Sequence, residues 1–439
     1  MENQSIVVLD FGAQYSQLIA RRIREQGVFS VVIPCTSTIE EIRSYSPIGI
    51  ILSGGPCSVY DIDAPAADKR LFDMGLPILG ICYGLQFMVH ALGGKVRAAA
   101  RREYGHAQVD VLENSELFNG LPRQLEVWMS HGDEALELPS GFKLISKSPS
   151  AVAGVENTAR KMFAVQFHPE VHHTKQGTEI LRNFVLGICK AKPTWTPQHF
   201  IDVTVESVRK TVGQGRAICA LSGGVDSAVA AVLVDRAMRD PSGPPRLTCV
   251  FVNNGVLRKN EFEKVQKGLR DNLGLHLVAV DATDRFLTKL AGVTDPEKKR
   301  KIIGNEFIEV FDEEARRIEK EEGEVEWLVQ GTLYPDVIES RSVRGPSQII
   351  KSHHNVGGLP DKMKLKLIEP LKELFKDEVR KIGRDLGMPE DVLQRQPFPG
   401  PGLAVRVVGE VTPERLAILR ECDDIVVNEI KTAGLYTKI

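Results

Sequence analysis

Three short stretches of the N-terminal half hold the residue types of nucleophilic acyl chemistry. "LGICYGLQ" sets Cys82 between Gly80 and Gly84, after an apolar run and before a helical pattern. This is the cysteine form of the G-x-S-x-G elbow, whose small residues let a sharp strand-to-helix turn expose the nucleophile. The N-terminus of the helix that follows favours negative charge on the sulfur. "FAVQFHPEV" ends a strand-like run with His168 and, two residues on, Glu170: a base and a carboxylate able to orient it. "LSGGPCSVYD" supplies a strand-end diglycine, Gly54–Gly55, whose backbone N–H suits an oxyanion, and the amide of Tyr83 is the natural second donor. Alone, Cys82 reads as a core thiol, the commonest state of a cysteine. Three such stretches, each at a strand end, read as a site for acyl transfer.

A second chemistry lies in "ALSGGVDSAVA", Ala220–Ala230. An apolar run passes through two glycines into a helical pattern, the layout that presents backbone N–H groups and a helix N-terminus to a phosphate. The lysine of the G-x-x-x-x-G-K-[ST] phosphate loop is missing, which leaves open which phosphates this loop holds and what becomes of them. The competing reading is a plain turn, in which Gly and Ser are common.

A chain of 439 residues is too long for one core and suggests about three domains. Candidate strands 6–9, 28–33, 49–52 and 77–81 alternate with helical stretches, so the first half is expected to be α/β with a mostly parallel sheet. Residues 108–112 and 161–167 add strands, and a helix over 178–189 closes the half. "AKPTWTPQ" reads as a linker. After it, Ile201, Val205, Val208 and Val212 share a helical face. A second α/β rhythm follows, with strands at 217–221, 247–252, 275–280 and 325–329. The charged run "DEEARRIEKEEGEVE" reads as a solvated helix with paired charges, whereas "DPEKKRK", beside a phosphate loop, suggests a closing lid. A net charge of −2 gives no reason to expect nucleic acid or a membrane surface as partner, and no apolar run is long enough to span a bilayer. Seven scattered cysteines without a C-x-x-C pair fit a reducing cytoplasm better than a disulfide or zinc framework. His353 and His354, adjacent on an extended segment, point to opposite faces and are not read as metal ligands.

"GGP", "GICYGLQ" and "FHPE" make residues 5–190 resemble the class I glutamine amidotransferases. The resemblance implies that Cys82 attacks the glutamine amide, His168 moves the proton and Glu170 orients it, with Gly55 and Tyr83 as oxyanion donors. Gln86 and "SHGD" (Ser130, His131, Gly132, Asp133) would bind the glutamine. "SGGVDS" looks like the signature of the N-type ATP pyrophosphatases, of the adenine-nucleotide hydrolase-like fold. There, Ser222, Gly223, Gly224, Val225, Asp226 and Ser227 would hold the β- and γ-phosphates as one pyrophosphate. Asp226 would place Mg²⁺, and the backbone of Val252 would meet adenine. The order of the two modules, with "KRKIIGNEFIEVF", "LVQGTLYPDVIES", "IKSHHNVGGLP" and "FPGPGLAVRV", is similar to the glutamine-hydrolysing GMP synthetase family.

That resemblance implies glutamine, ATP and XMP as substrates, with Arg300 and Lys351 toward XMP. It divides the chain into an amidotransferase domain (1–191), a linker (192–198), an ATP pyrophosphatase domain (199–388) and the start of an α+β dimerisation domain (389–439), so that the full-length form would be a homodimer. Asn253 departs from the family's frequent Asp, and the C-terminal segment is shorter than the family's. Two alternatives stand beside this reading: a glutamine-fed ATP pyrophosphatase with another acceptor, and an inactive, truncated binding subunit. Against the second, Cys82, His168, Glu170 and the whole of 222–227 are intact.

Overall fold

The computed structural model describes residues 4–340, 365–396, 398 and 400–436. They form two compact units, one running to Thr196 and the other starting at Pro197.

The first unit contains β1 (Ser5–Asp10), β2 (Phe29–Pro34), β3 (Pro47–Leu52), β4 (Ile78–Ile81), β5 (Lys95–Val111), β6 (Gln124–Glu137), β7 (Lys143–Lys147), β8 (Val152–Asn157) and β9 (Met162–Val165). They join one sheet in the order β2-β1-β3-β4-β9-β8-β7-β5-β6. The first five of these positions pair in parallel, and the remainder is antiparallel. Sequence dictates the difference. β1 and β4 are continuous apolar runs buried along their length, as parallel strands covered on both faces must be. β6 instead alternates: Leu125, Val127 and Met129 are buried while Gln124, Glu126 and Ser130 are exposed, so one face meets water. The β5–β6 hairpin is longer than the expected strand at 108–112, because its solvated face dilutes the apolar signal. The expected closing helix is present as Gly177–Arg182, continuing as a wider π-helical turn over Asn183–Ile188.

The second unit opens with the helix Pro197–Val212, which buries Phe200, Ile201, Val205, Val208 and Val212. Its sheet holds β10 (Ala217–Leu221), β11 (Leu247–Asn253), β12 (Leu277–Asp281), β13 (Trp327–Val329) and β14 (Lys366–Ile368), all parallel, in the order β12-β11-β10-β13-β14. The chain steps outward from β10 on one side and returns on the other. The carboxyl end of β10 is therefore a topological switch point, where open α/β sheets bind ligands.

The first charged run and the second as far as Glu322 fall on one helix, Pro296–Glu322, capped by Asp295, whose carboxylate accepts from the Lys298 N–H at 2.8 Å. The second run is solvated and internally paired, with Arg317 to Glu321 at 2.9 Å. The lid expectation for the first run fails at Lys299. Its side chain is buried, and its ammonium donates to the carbonyls of Ala404 (3.1 Å), Val407 (2.8 Å) and Gly409 (2.6 Å). The described residues from Glu390 onward contain helices and turns and no strand, ending in the helix Pro413–Thr432. An α+β module was expected there. Instead Leu403, Ala404, Val407, Val411 and Leu416 pack with Ile303, Val310 and Phe311 in the core of the second unit.

Candidate active sites

Cys82 sits between β4 and the helix Tyr83–Ala91 with φ +52° and ψ −106°, a backbone state that costs a non-glycine residue about 1–3 kcal/mol. The surroundings hold it there. Its N–H donates to the Val165 carbonyl of β9 at 2.8 Å. The flanking glycines are steric requirements: a Cβ on Gly84 would lie 2.3 Å from the Leu52 carbonyl oxygen, and one on Gly80 would lie 2.7 Å from that of Gly84. The thiol is buried, 3.4 Å from the Ser130 carbonyl oxygen, and receives the Gln166 side-chain N–H at 3.7 Å.

His168 follows β9, its backbone N–H held by the Trp128 carbonyl at 3.0 Å and its carbonyl by the Thr174 hydroxyl at 2.6 Å. Nδ1 meets Glu170 Oε1 at 2.7 Å, so Nδ1 carries the proton given to the carboxylate and the opposite edge is left for the thiol. Burial opposes the imidazolium, but hydrogen bonds to Cys82 and Glu170 and their charges prevail, raising the His168 pKa to about 10. Gly54 lies against this pair: a Cβ there would stand 3.1 Å from His168 Cε1 and 3.8 Å from Cys82 Cβ. A Cβ on Gly55 would come within 2.8 Å of the Phe11 carbonyl oxygen and 3.2 Å of Tyr83 Cγ. The diglycine thus brings backbone close to Cys82 and His168.

The other expected residues of this site gather on β6 and the elbow helix. Gln86 Nε2 donates to the Asp133 carbonyl at 2.9 Å, joining the helix to the "SHGD" strand. Asp133 Oδ2 is buried with no partner among the described residues, a vacancy suited to the amino group of a glutamine. Gly132 and Ser130 precede it on the same strand. His131 differs from expectation. Its buried ring is taken at both nitrogens, by the Asp133 carbonyl at 3.0 Å and by Glu103 Oε2 at 3.1 Å, so it shapes the strand and leaves no edge for a ligand. Burial raises the Glu103 pKa, but hydrogen bonds from Ser150, His131 and Ser148 outweigh it and hold the carboxyl below its ordinary value. Glu103 and Gln166 were not foreseen. Gln166, two residues before His168, could have been found from the alternation of an extended segment; nothing local marks Glu103.

The Ser222–Ser227 loop closes the carboxyl end of β10. Ser227 Oγ accepts from the Ser222 N–H at 3.3 Å and donates to the Gly224 carbonyl at 3.2 Å, while the Gly224 N–H reaches Ser222 Oγ at 3.3 Å. Gly223 has φ +72°, and Gly224 caps the helix Val225–Met238 without a side-chain hydrogen bond, so the helix N-terminus faces the loop uncapped. Asp226 Oδ2 pairs with Lys376 at 3.3 Å, and the buried Oδ1 has no partner among the described residues. Burial raises the Asp226 pKa, partly offset by Lys376. Among the described residues no group of three or more His, Cys, Asp or Glu could cage a metal. One orphaned carboxylate oxygen beside a phosphate loop does fit Mg²⁺, which keeps waters and phosphates as its other ligands. β11 runs past its last pair with β10, Leu221↔Phe251, leaving Val252 at the rim of this site. Arg300 is exposed near the start of the helix Pro296–Glu322; Lys351, His353 and His354 lie outside the described residues.

A cysteine elbow, an acid-oriented histidine and a diglycine on the parallel half of a mixed sheet define a class I glutamine amidotransferase, and residues 7–188 match the family model described as glutamine amidotransferase class-I. The likeness to curated proteins runs further. The glutamine-hydrolysing GMP synthase of Brachyspira hyodysenteriae is 54% identical over 435 residues, covering 99% of this chain and 83% of that protein. Those of Geobacillus kaustophilus and Aquifex aeolicus are 55% and 53% identical, each over 440 residues, 100% of this chain and 84% of the relative. The chain belongs to the glutamine-hydrolysing GMP synthases. Matches over the whole length under one name do not favour the other acceptors or the inactive subunit.

Proposed function

We propose that the chain makes GMP from XMP with nitrogen taken from glutamine. In the first unit Cys82 Sγ attacks the glutamine amide carbon, the oxyanion forms against Gly55 and Tyr83, and His168 gives its proton to the leaving ammonia. Water, deprotonated by the same imidazole, then releases glutamate from the thioester. In the second unit the purine carbonyl oxygen of XMP attacks the α-phosphorus of ATP, and pyrophosphate stays on Ser222–Ser227. Ammonia displaces AMP, so that XMP, ATP and ammonia become GMP, AMP and pyrophosphate. Asp226 would hold Mg²⁺, which supplies positive charge against the phosphates. Arg300 and Lys351 are assigned to XMP.

The reading includes a cytoplasmic enzyme without nucleic-acid or membrane partners and, for the full-length form, a homodimer. No helix among the described residues is long and apolar enough to cross a membrane. Ile418, Ile425 and Val426 give the helix Pro413–Thr432 exposed apolar surface.

The observation that carries the proposal is Cys82 in its strained turn beside His168, whose Nδ1 lies 2.7 Å from Glu170. With XMP, ATP and glutamine supplied, AMP should form one-for-one with GMP, and oxygen-18 placed on the xanthine carbonyl should appear in the AMP. ADP as product, or unlabelled AMP, would overturn the adenylyl step.

A further inference from the structure

The phosphate loop is touched by a residue that the reading above does not use. Arg395 Nη1 donates to the Gly223 carbonyl at 2.5 Å, across 172 positions of sequence. A Cβ on Gly223 would come within 3.1 Å of that same nitrogen, a tight contact, while φ +72° itself favours glycine at this position. The Gly223 carbonyl and the Gly224 N–H belong to one planar trans peptide and point in opposite directions. Pinning the oxygen on Arg395 therefore aims the Gly224 N–H into the loop, where it reaches Ser222 Oγ at 3.3 Å. Between two glycines this peptide has little steric reason to hold its orientation without an external grip.

Arg395 is itself fixed. Its side chain is largely buried and paired through Nη2 with the buried Glu261. Glu261 Oε2 accepts from the Arg258 N–H at 2.7 Å, and the Arg258 guanidinium pairs with Asp423 of the helix Pro413–Thr432 at 3.0 Å. Next to Arg395, Gln396 donates from Nε2 to the Tyr436 carbonyl at 2.8 Å.

We infer that Arg395 is a positioning residue of the nucleotide site: it orients the 223–224 peptide so that the loop's N–H groups face pyrophosphate, and it ties that orientation to the C-terminal helix. The inference rests on the proposal that 222–227 holds pyrophosphate. A plain structural ion pair with Glu261 is the competing role, and the two separate by experiment.

The affinity of the complete chain for inorganic pyrophosphate with Mg²⁺ is measured by calorimetry alongside urea stability and glutaminase rate. Arg395→Met should weaken pyrophosphate binding about tenfold or more, the worth of one charged hydrogen bond. Arg395→Lys should restore little of it, because an ammonium does not reproduce the planar fork that spans carbonyl and carboxylate. Glu261→Gln, which removes the charge of the pair but keeps an acceptor oxygen for Nη2, should lose stability yet weaken pyrophosphate binding less than Arg395→Met does. Parental affinity in Arg395→Met, or affinity losses that follow stability across all three variants, overturns the positioning role and leaves the loop assignment standing. Failure of the unaltered chain to bind pyrophosphate overturns the loop assignment, and this inference with it.

Discussion

At the level of single residues, the acyl site turns on the charge state of His168. Its pKa in the folded chain, about 10, stands above the ordinary 6.5, so the charged pairing contributes stability that is complete below about pH 6.5 and is lost as pH rises through 10. Burial alone would push the other way. Glu170→Gln removes one of the two charges that oppose burial, and the His168 midpoint should fall by at least about one unit, read from its ring proton by NMR. Glutamine turnover should drop about a hundredfold or more. An unmoved midpoint would mean that Cys82 alone sustains the imidazolium. The chemistry-bearing side chains were legible in the sequence because each lies within a few residues of its strand end. Glu103 was not, since its meaning comes from His131, 28 positions away across the β5–β6 hairpin. Arg395 was hidden for the same reason over a greater distance.

At the level of elements, the parallel strands and their order of appearance could be read from continuous apolar runs, and the long antiparallel pair could not. The start of the helix Pro296–Glu322 shows a second limit. Lysines clustered near a phosphate loop suggest a cover for it, yet Lys299 faces inward because three chain-end carbonyls converge on its ammonium. Sequence shows the charge but not the direction of the side chain. Lys299→Met should cost about 1–3 kcal/mol in urea unfolding, since buried carbonyls lose their donor and the replacement supplies none. A variant of parental stability with impaired ATP turnover would return Lys299 to a lid.

At the level of the whole molecule, two chemistries share one chain and their machinery does not overlap. Cys82→Ala should abolish GMP formation from glutamine while sparing it with ammonium salts as nitrogen source. Asp226→Ala should do the reverse, ending pyrophosphate release at saturating Mg²⁺ while glutamine is still hydrolysed. Loss of both activities in either folded variant would refute the division of labour. The break between the units, at Thr196 and Pro197, falls in the proline-bearing stretch read as a linker. The C-terminal segment was harder to place, because its apolar residues join a core whose other members run from Ile218 to Leu328, far earlier in the chain.

Each sheet is assembled wholly from the strands of its own unit. That has a consequence for how the protein is born. The last strand of the nine-stranded sheet ends at Val165, so its ladder can be completed early in synthesis, independently of the second sheet. The five-stranded sheet has no such head start: β14, at its edge, is translated almost 150 residues after β10. The grip of Arg395 on Gly223 comes later still. A polypeptide interrupted during synthesis would therefore leave a finished glutaminase scaffold and an open nucleotide loop.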